Sequence, residues 1–325
     1  MTRDLRIVFM GTPDFAVTIL KSLVTHNYNI VGVITAADKP AGRGRKLNQS
    51  AVKKYALSQN LPILQPTNLK AESFQKELEA WNANLQIVVA FRMLPKSVWA
   101  LPKYGTFNLH ASLLPEYRGA APINWAIING ETKTGVTTFF IDDKIDTGAI
   151  ILQKETAIGK EETVGILHDK LMHLGANLVL ETVDLIAEDK VVTTKQPALE
   201  EKTAHKLYPH NCRIDWTKSL DAIYNHIRGL NPYPAAWTTI KDRENEFTAK
   251  IYEVAKEAVA HEQAIGTIVT TKKTLKVAVK DGYLVIHSLK VSGKKLLDTK
   301  SLLNGFPISE QAIASSPLKP RNLDF

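Results

Sequence analysis

Short, mostly apolar stretches alternate with segments of helical periodicity along the first part of the chain. The apolar stretches are Leu5–Gly11, Asn29–Thr35, Leu85–Phe91 and Gly105–His110. Strands that are apolar on both faces and alternate with amphipathic helices are typical of a parallel sheet covered on both sides. The pattern therefore predicts an α/β, Rossmann-like domain with a mostly parallel sheet.

Two more predicted strands follow, Gly135–Asp142 and Ala149–Glu155, joined by a polar turn. After them, apolar residues recur at helical spacing over Thr163–Glu188, which predicts one long amphipathic helix. We expect this helix to close a first domain over residues 1–190.

The periodicity is lost over residues 191–208, a polar stretch that we interpret as a linker. Beyond a predicted helix at Ser219–Leu230, short alternating stretches are separated by Gly and Asp-Gly. Such punctuation is typical of small all-β domains. We therefore expect residues 209–325 to form a smaller C-terminal β-barrel of the OB-like type.

Charge is unevenly distributed between these parts. The 325 residues carry a formal net charge of +8; residues 1–190 hold 21 Lys and Arg against 19 Asp and Glu, and the remainder holds 20 against 14. A basic surface attracts polyanions through released counterions. Basic proteins without such a partner are also common, so charge alone leaves nucleic-acid binding open.

The single cysteine, Cys212, excludes an internal disulfide framework and is compatible with a reducing compartment. No apolar run reaches the roughly 18 residues that a membrane helix needs. The first residues, "MTRDLRIVFM", lead directly into a strand and are not typical of a signal peptide. We expect a cytoplasmic protein that has no membrane partner and acts as a monomer.

Polar side chains gather where one predicted parallel strand ends. Asn108 and His110 are two residues apart, which places them on one face of the strand. An amide and a protonated imidazole can both donate to a developing oxyanion, and a carboxylate can orient the imidazole. Asp146, followed by Thr-Gly in the turn after the next strand, is the candidate carboxylate. An ordinary strand end with a histidine that bonds a backbone carbonyl stays the alternative.

The "SLLP" segment comes directly after this pair. Its residues Ser112, Leu113, Leu114 and Pro115 are expected to expose backbone groups and an apolar wall suited to a flat heterocycle. No G-x-G-x-x-G, P-loop or Cys/His metal cluster accompanies them. The sequence therefore gives no reason to expect a nicotinamide cofactor or a metal.

A basic loop leaves the same predicted sheet edge. Lys39, Arg43, Arg45 and Lys46 fall within eight residues, among glycines and a proline. Such a loop can contact phosphates or base edges at the end of a nucleic acid. A solvated charged loop explains the same residues.

Taken together, five motifs resemble the methionyl-tRNA formyltransferase family. They are "VFMGTPDFAV", "PAGRGRKL", "FNLHASLLPEYRGAAPINW", "IDTGAI" and "RIDW" with "IRGLNPYPAAW". "HASLLP" with "RGAAPI" is typical of folate-dependent formyltransferases in general, whereas the basic loop points to the member that acts on tRNA. The resemblance extends from the first strand past residue 237.

The resemblance implies a donor, an acceptor and residue roles. The donor would be 10-formyltetrahydrofolate, and the acceptor would be the α-amino group of methionine on initiator tRNA. Asn108 and His110 would stabilise the oxyanion, while Asp146 would keep His110 charged and help to remove the amine proton. The "SLLP" segment would contact folate, and the basic loop and second domain would contact tRNA. No metal would be required.

Two kinds of alternative remain. A formyltransferase for a sugar-nucleotide amine or for glycinamide ribonucleotide, or a formyltetrahydrofolate hydrolase, would share the Asn-His-Asp site. None of these would explain the basic loop or the charge of the second domain. The other alternative is a non-catalytic RNA-binding module, which would bind tRNA without His110 and transfer no formyl group.

Overall fold

The computed structural model describes residues 2–41, 46–197 and 202–316. The strands are, in chain order, β1 (Ile7–Gly11), β2 (Ile30–Ile34), β3 (Lys39–Ala41), β4 (Lys46–Asn48), β5 (Ile63–Leu64), β6 (Leu85–Val89), β7 (Thr106–His110), β8 (Lys133–Phe140), β9 (Ile150–Ala157), β10 (Ala236–Asp242), β11 (Asn245–Ile251), β12 (Val254–Glu257), β13 (Ile268–Thr270), β14 (Leu275–Val279), β15 (Gly282–Ile286), β16 (Ser288–Val291), β17 (Leu297–Asp298) and β18 (Ile313–Ser315). The α-helices are α1 (Asp14–Thr25), α2 (Ala51–Ser58), α3 (Glu72–Ala80), α4 (Lys96–Trp99), α5 (Pro122–Ile128), α6 (Val164–Ala187), α7 (Leu220–Arg228) and α8 (Thr299–Gly305).

The chain divides into two compact units. Unit 1 comprises Met1–Pro122, Lys133–Ala157 and His168–Ala204, and unit 2 comprises Ile123–Thr132, Ile158–Leu167 and His205–Phe325. Two short segments of the region expected to form the first domain thus belong to unit 2.

A seven-stranded sheet organises unit 1, in the order β5-β2-β1-β6-β7-β8-β9. The pairs from β5 to β7 are parallel, whereas β8 and β9 run antiparallel at one edge. β1 and β6 are buried at every position, which explains why their sequences are apolar apart from Gln86. The predicted α/β fold with a mostly parallel sheet is confirmed.

The sheet places two parallel strand ends side by side. Val88 on β6 pairs with Asn108 on β7, and His110 pairs with Thr137 on the antiparallel β8. β7 therefore ends between a parallel and an antiparallel neighbour. The polar residues at its end therefore lie at the carboxyl ends of the parallel strands, where α/β proteins commonly bind ligands.

Unit 2 contains two antiparallel sheets, ordered β17-β16-β11-β10-β18 and β12-β15-β14-β13. Its core includes Trp216, which is fully buried and donates its indole N–H to Thr238 Oγ1 at 2.9 Å. Ser219 caps the start of α7, where its side chain accepts the Ala222 N–H, and the helix buries Ile223 and Ile227 in that core. The antiparallel C-terminal domain is confirmed. The single thiol, Cys212, is buried, and burial raises its pKa.

The segment predicted as a linker belongs in part to unit 1, which extends to Ala204. Thr194 exchanges both backbone hydrogen bonds with Ile150, each at 2.8 Å, and Ala204 donates its N–H to Arg118 O at 2.8 Å. Polarity along this stretch reflects backbone and side-chain hydrogen bonding as well as exposure.

Within the described residues, no helix is both long and apolar enough to cross a membrane.

Ile87, at the centre of β6, is fully buried in unit 1. Replacing it with alanine removes apolar contacts in a sheet that cannot fully close the gap, so Ile87→Ala should destabilise the protein by about 2–5 kcal/mol. Urea denaturation followed by tryptophan fluorescence measures the change. Lys21→Ala, on the exposed face of α1, is the control and should leave the transition within about 0.5 kcal/mol. An equal effect of both substitutions would contradict this packing.

Candidate active site

Asn108 and His110 lie at the carboxyl end of β7, on the same face of the strand. Asn108 is half-buried, and its side-chain amide makes no hydrogen bond with the part of the chain described here. His110 is 6% exposed. An amide with unused donors beside a buried imidazole is a suitable arrangement for stabilising an oxyanion.

The structure brings His110 and Asp146 together. His110 Nδ1 lies 3.8 Å from Asp146 Oδ2, and His110 Nε2 lies 2.9 Å from the carbonyl oxygen of Tyr117. Because a carbonyl can only accept, Nε2 carries a hydrogen and donates it. The other ring nitrogen, Nδ1, faces the carboxylate of Asp146. The distance between Nδ1 and Asp146 Oδ2 is too long for a direct hydrogen bond.

Backbone groups hold the carboxylate in place. Gly119 donates its N–H to Asp146 Oδ2 at 2.9 Å. Asp146 itself has φ 55°, in the left-handed region that non-glycine residues rarely adopt and where aspartate is among the better tolerated. Tyr117, whose carbonyl accepts from His110, also lies in this region, at φ 60°. The two residues that face the His110 ring, Tyr117 and Asp146, thus both have left-handed backbone conformations.

Asp142 organises the start of the same turn. Its Oδ1 accepts the Lys144 N–H at 3.0 Å and the Thr147 hydroxyl at 2.7 Å. This side chain therefore supports the turn that carries Asp146.

Two side chains of the antiparallel strands fix the "SLLP" segment. Thr137 Oγ1 donates to Ser112 O at 2.6 Å and accepts the Leu114 N–H at 3.1 Å. Gln153 Nε2 donates to Leu114 O at 2.9 Å and to Thr137 Oγ1 at 3.0 Å. The backbone here is rigid because β8 and β9 supply its hydrogen-bond partners.

This arrangement differs in part from the expected wall of exposed backbone groups. Ser112 and Leu114 are buried, and the carbonyls of both residues and the N–H of Leu114 are already bonded. Leu113 and Pro115 are half-buried and keep part of their apolar surface exposed. The part of the segment left for a ligand is therefore mainly apolar.

One contributor to the site was missed by sequence reasoning. Gln196, from the predicted linker, donates Nε2–H to the carbonyl oxygens of Asp146 at 2.9 Å and Gly148 at 2.8 Å. Its Oε1 accepts from Arg118 Nε at 3.1 Å. Nothing in the local sequence marks a lone glutamine in a polar stretch, because its partners are distant along the chain.

The base of the basic loop is anchored next to β2. The Asp38 carboxylate accepts hydrogen bonds from Gln65 at 2.8 Å and from Lys53 at 2.5 Å. Both hydrogen bonds lower the pKa of Asp38, and the one from Gln65 has the larger effect. Lys39, the next residue, is exposed and begins the β3–β4 hairpin.

The rest of the predicted basic loop is only partly described. Lys46 begins β4, and Arg43 and Arg45 lie outside the described residues.

Gly148 leaves no room for a side chain beside the Asp146 turn. A Cβ atom there would lie 1.6 Å from the carbonyl oxygen of Phe140. Gly148→Ala should therefore displace the backbone between β8 and β9 and destabilise the protein by about 2 kcal/mol or more. Thermal unfolding checks the stability. Gly305→Ala is the control, because a Cβ atom at that position would meet nothing within 4 Å. A Gly148→Ala variant as stable as the control would refute the predicted clash.

Two family models match the chain. Residues 5–183 match the model described as "Formyl transferase", and residues 206–307 match "Formyl transferase, C-terminal domain". The first match covers the strands that carry Asn108, His110 and the turn with Asp146. The second covers most of unit 2.

Curated relatives are similar over nearly the whole chain. A methionyl-tRNA formyltransferase of Flavobacterium johnsoniae is 61% identical over 95% of this chain and 98% of its own length. One of Bacteroides thetaiotaomicron is 55% identical over 94% of this chain and 97% of its own.

Solved structures share the fold at low identity. The sugar 3N-formyl transferase WlaRD has a TM-score of 0.63 and 20% identity, and the match covers 90% of this chain and 100% of that one. HypX from Aquifex aeolicus has a TM-score of 0.63 and 16% identity, over 93% of this chain and 47% of that one. At this identity the structures show the fold alone. With both domain models matched and relatives 55–61% identical over nearly its full length, the chain belongs to the methionyl-tRNA formyltransferase family.

Proposed function

We propose that this protein transfers the formyl group of 10-formyltetrahydrofolate to the α-amino group of methionine on initiator tRNA, in support of translation initiation. The observation that carries the proposal is the His110–Asp146 pair at the end of β7, 3.8 Å apart, in a chain of this family.

The rigid "SLLP" segment supports a folate-type donor. Leu113 and Pro115 present apolar surface on a backbone held by Thr137 and Gln153. A flat pteridine ring needs such an apolar wall, because ligand sites are mainly apolar with a few fixed polar groups. WlaRD was crystallised with 5-N-formyl-THF, and HypX with tetrahydrofolic acid. By analogy with these proteins, the donor of this chain would be a formylated folate.

The chemistry assigned to the strand end is acyl transfer. The neutral amine attacks the formyl carbon, and negative charge develops on the formyl oxygen. The Asn108 amide and a protonated His110 would donate hydrogen bonds to that oxygen. Since His110 Nε2 is already bonded to Tyr117 O, Nδ1 is the ring atom that would make this contact.

Asp146 would support the same step from its position next to His110. Its Oδ2 faces His110 Nδ1 and is held by the Gly119 N–H. A carboxylate at this place favours the charged imidazole and can receive the amine proton, directly or through a water molecule. The amine nitrogen would lose its proton as the bond to the formyl carbon forms, and the donor nitrogen would leave with the electron pair of the broken bond.

The outer face of one sheet in unit 2 supports an RNA acceptor. Three residues lie in register across β10, β11 and β16, namely Trp237, Lys250 and Lys290. We call these three residues the lysine row. Both lysines are exposed, and the guanidinium of Arg213 lies 5.3 Å from the centre of the Trp237 ring. Cations beside an aromatic ring suit a nucleic-acid backbone with unpaired bases.

Several features stay predictions. Lys39, Arg43, Arg45 and Lys46 would contact the acceptor end of the tRNA. A monomeric state and a cytoplasmic location rest on the sequence alone.

A formyl-transfer assay with 10-formyltetrahydrofolate tests the proposed function. The acceptors to compare are methionyl initiator tRNA, methionyl elongator tRNA, glycinamide ribonucleotide and an amino-sugar nucleotide. We expect formylation of the initiator tRNA at a much higher kcat/KM than the others. Preference for a small amine would overturn the tRNA assignment, and release of free formate without an acceptor would indicate a hydrolase.

Asn108 and His110 should each be needed for the chemical step. Loss of one oxyanion donor typically lowers kcat by about 10²–10³-fold, so Asn108→Ala and His110→Ala should each fall in this range. Circular dichroism and thermal unfolding should show a retained fold. Near-normal rates in either variant would remove that residue from the mechanism, and tRNA binding without any formyl transfer by the unaltered protein would favour the RNA-binding module.

The lysine row should contribute to tRNA affinity through charge. We expect the double variant Lys250→Gln with Lys290→Gln to bind initiator tRNA more weakly and to lower the slope of log K against log salt by roughly 1 per lost phosphate contact. Filter binding across a salt series measures both. Lys76→Gln, on the exposed side of α3, removes the same kind of charge from unit 1 and is the control. An unchanged slope in the double variant would exclude the row from the RNA interface.

A further inference from the structure

A buried glutamine amide joins the Asp146 turn to the side chain of Arg118 in unit 1. Gln196 is 7% exposed, and its Nε2 donates to the carbonyl oxygens of Asp146 and Gly148 at 2.9 and 2.8 Å. Its Oε1 accepts from two nitrogens of Arg118, Nε at 3.1 Å and a terminal nitrogen at 2.5 Å. Both amide hydrogens and the amide oxygen are therefore in use.

The backbone around Gln196 fixes where its amide can reach. Thr194 exchanges both backbone hydrogen bonds with Ile150, so the chain enters the site as a short antiparallel pair next to the Asp146 turn. Further along, Lys202 O accepts the Tyr117 N–H at 2.6 Å and Ala204 N–H donates to Arg118 O at 2.8 Å. The same segment thus contacts both the turn that carries Asp146 and the loop that carries Tyr117.

These two pieces of backbone are the ones that position His110 and Asp146. The loop supplies the Tyr117 carbonyl to His110 and the Gly119 N–H to Asp146. The turn holds Asp146 in the left-handed region, at φ 55°. Backbone conformations of this kind cost about 1–3 kcal/mol and persist only where the surroundings hold them. Gln196 bonds the carbonyls on both sides of Thr147, and so holds the turn from outside.

We propose that Gln196 is a positioning residue for formyl transfer, acting through Asp146: its amide fixes the Asp146 turn against the Arg118 loop, so that the carboxylate stays beside His110. The inference rests on the proposed function for the reaction it serves. Gln196 touches neither substrate in this proposal. A glutamine suits the role because it offers two donors to the turn and one acceptor to the arginine from a single planar group.

Kinetics of two variants test the proposal. Gln196→Met keeps the length of the side chain and removes all four contacts. Gln196→Glu keeps acceptors for Arg118 and, as a carboxylate, loses the two donors to the turn. Because misplacing a catalytic group by about 1 Å can cost about a hundredfold, each should lower kcat by on the order of tenfold to a hundredfold. The KM for initiator methionyl-tRNA should stay within about twofold of its original value, as expected when only the chemical step is affected.

Gln86→Met is the matched control. Gln86 is fully buried in β6 of the same unit, and its Oε1 accepts from Thr106 Oγ1 at 3.0 Å. This substitution removes a buried glutamine amide away from the Asp146 turn, so it should lower stability without the selective loss of kcat. If Gln196→Met fails to fold, Gln196→Glu carries the test, because its contact with Arg118 is retained.

Hydrogen exchange of the Gly119 amide gives a readout that does not depend on activity. This N–H donates to Asp146 Oδ2, so its protection reports whether the carboxylate is in place. Exchange at Gly119 should be faster in both Gln196 variants and unchanged in Gln86→Met. Original kcat values, an effect on KM alone, or unchanged exchange at Gly119 would each overturn the inference. If the unaltered protein were inactive towards tRNA, the proposed function would be refuted instead. The exchange rate of the Gly119 amide would still show whether Gln196 holds Asp146 in place.

Discussion

The buried contact between His110 and Asp146 depends on backbone groups that neither residue supplies. Tyr117 O accepts from one ring nitrogen of His110, and Gly119 N–H donates to the carboxylate that faces the other. Removing charged and polar groups from water is costly unless hydrogen bonds replace the lost hydration. A pair held by backbone on both sides is satisfied before any substrate arrives. Catalysis gains from such preorganisation, because the site need not rearrange as charge develops.

The antiparallel strands next to β7 and their connection carry groups that contact His110 and the "SLLP" segment. β7 is the last parallel strand, and β8 and β9 continue the sheet in the antiparallel direction. β8 ends beside the start of β7, since Phe140 pairs with Phe107 and the Ile141 N–H donates to Thr106 O at 2.8 Å. The connection from β8 to β9 reaches back from there, so that Asp146 Oδ2 lies 3.8 Å from His110 Nδ1. A strictly parallel sheet would need a longer crossover here. The antiparallel edge also supplies Thr137 and Gln153, which fix the "SLLP" segment.

Polar side chains far apart in the sequence complete this framework. Thr137, Gln153 and Gln196 all bond to backbone groups in loops or turns, and Gln196 also accepts from Arg118. A buried polar group that loses its partner costs about 1–3 kcal/mol, so the buried Thr137 and Gln196 constrain the segments they bond. The site is therefore a set of irregular backbone segments made rigid by side-chain hydrogen bonds, with His110 and Asp146 placed on that frame.

The sequence by itself determined the parallel strands, the antiparallel second domain and the candidates Asn108, His110 and Asp146, because these follow from local periodicity and from residue types at a strand end. Tertiary structure alone decided which nitrogen of His110 faces the carboxylate, how the "SLLP" backbone is bonded, and that Thr194 and Ala204 bond to distant backbone of unit 1. The partner of Gln196 lies 50 residues away along the chain. A single polar residue has no periodic pattern to mark it, so contacts of this kind arise only when the sheet brings the segments together.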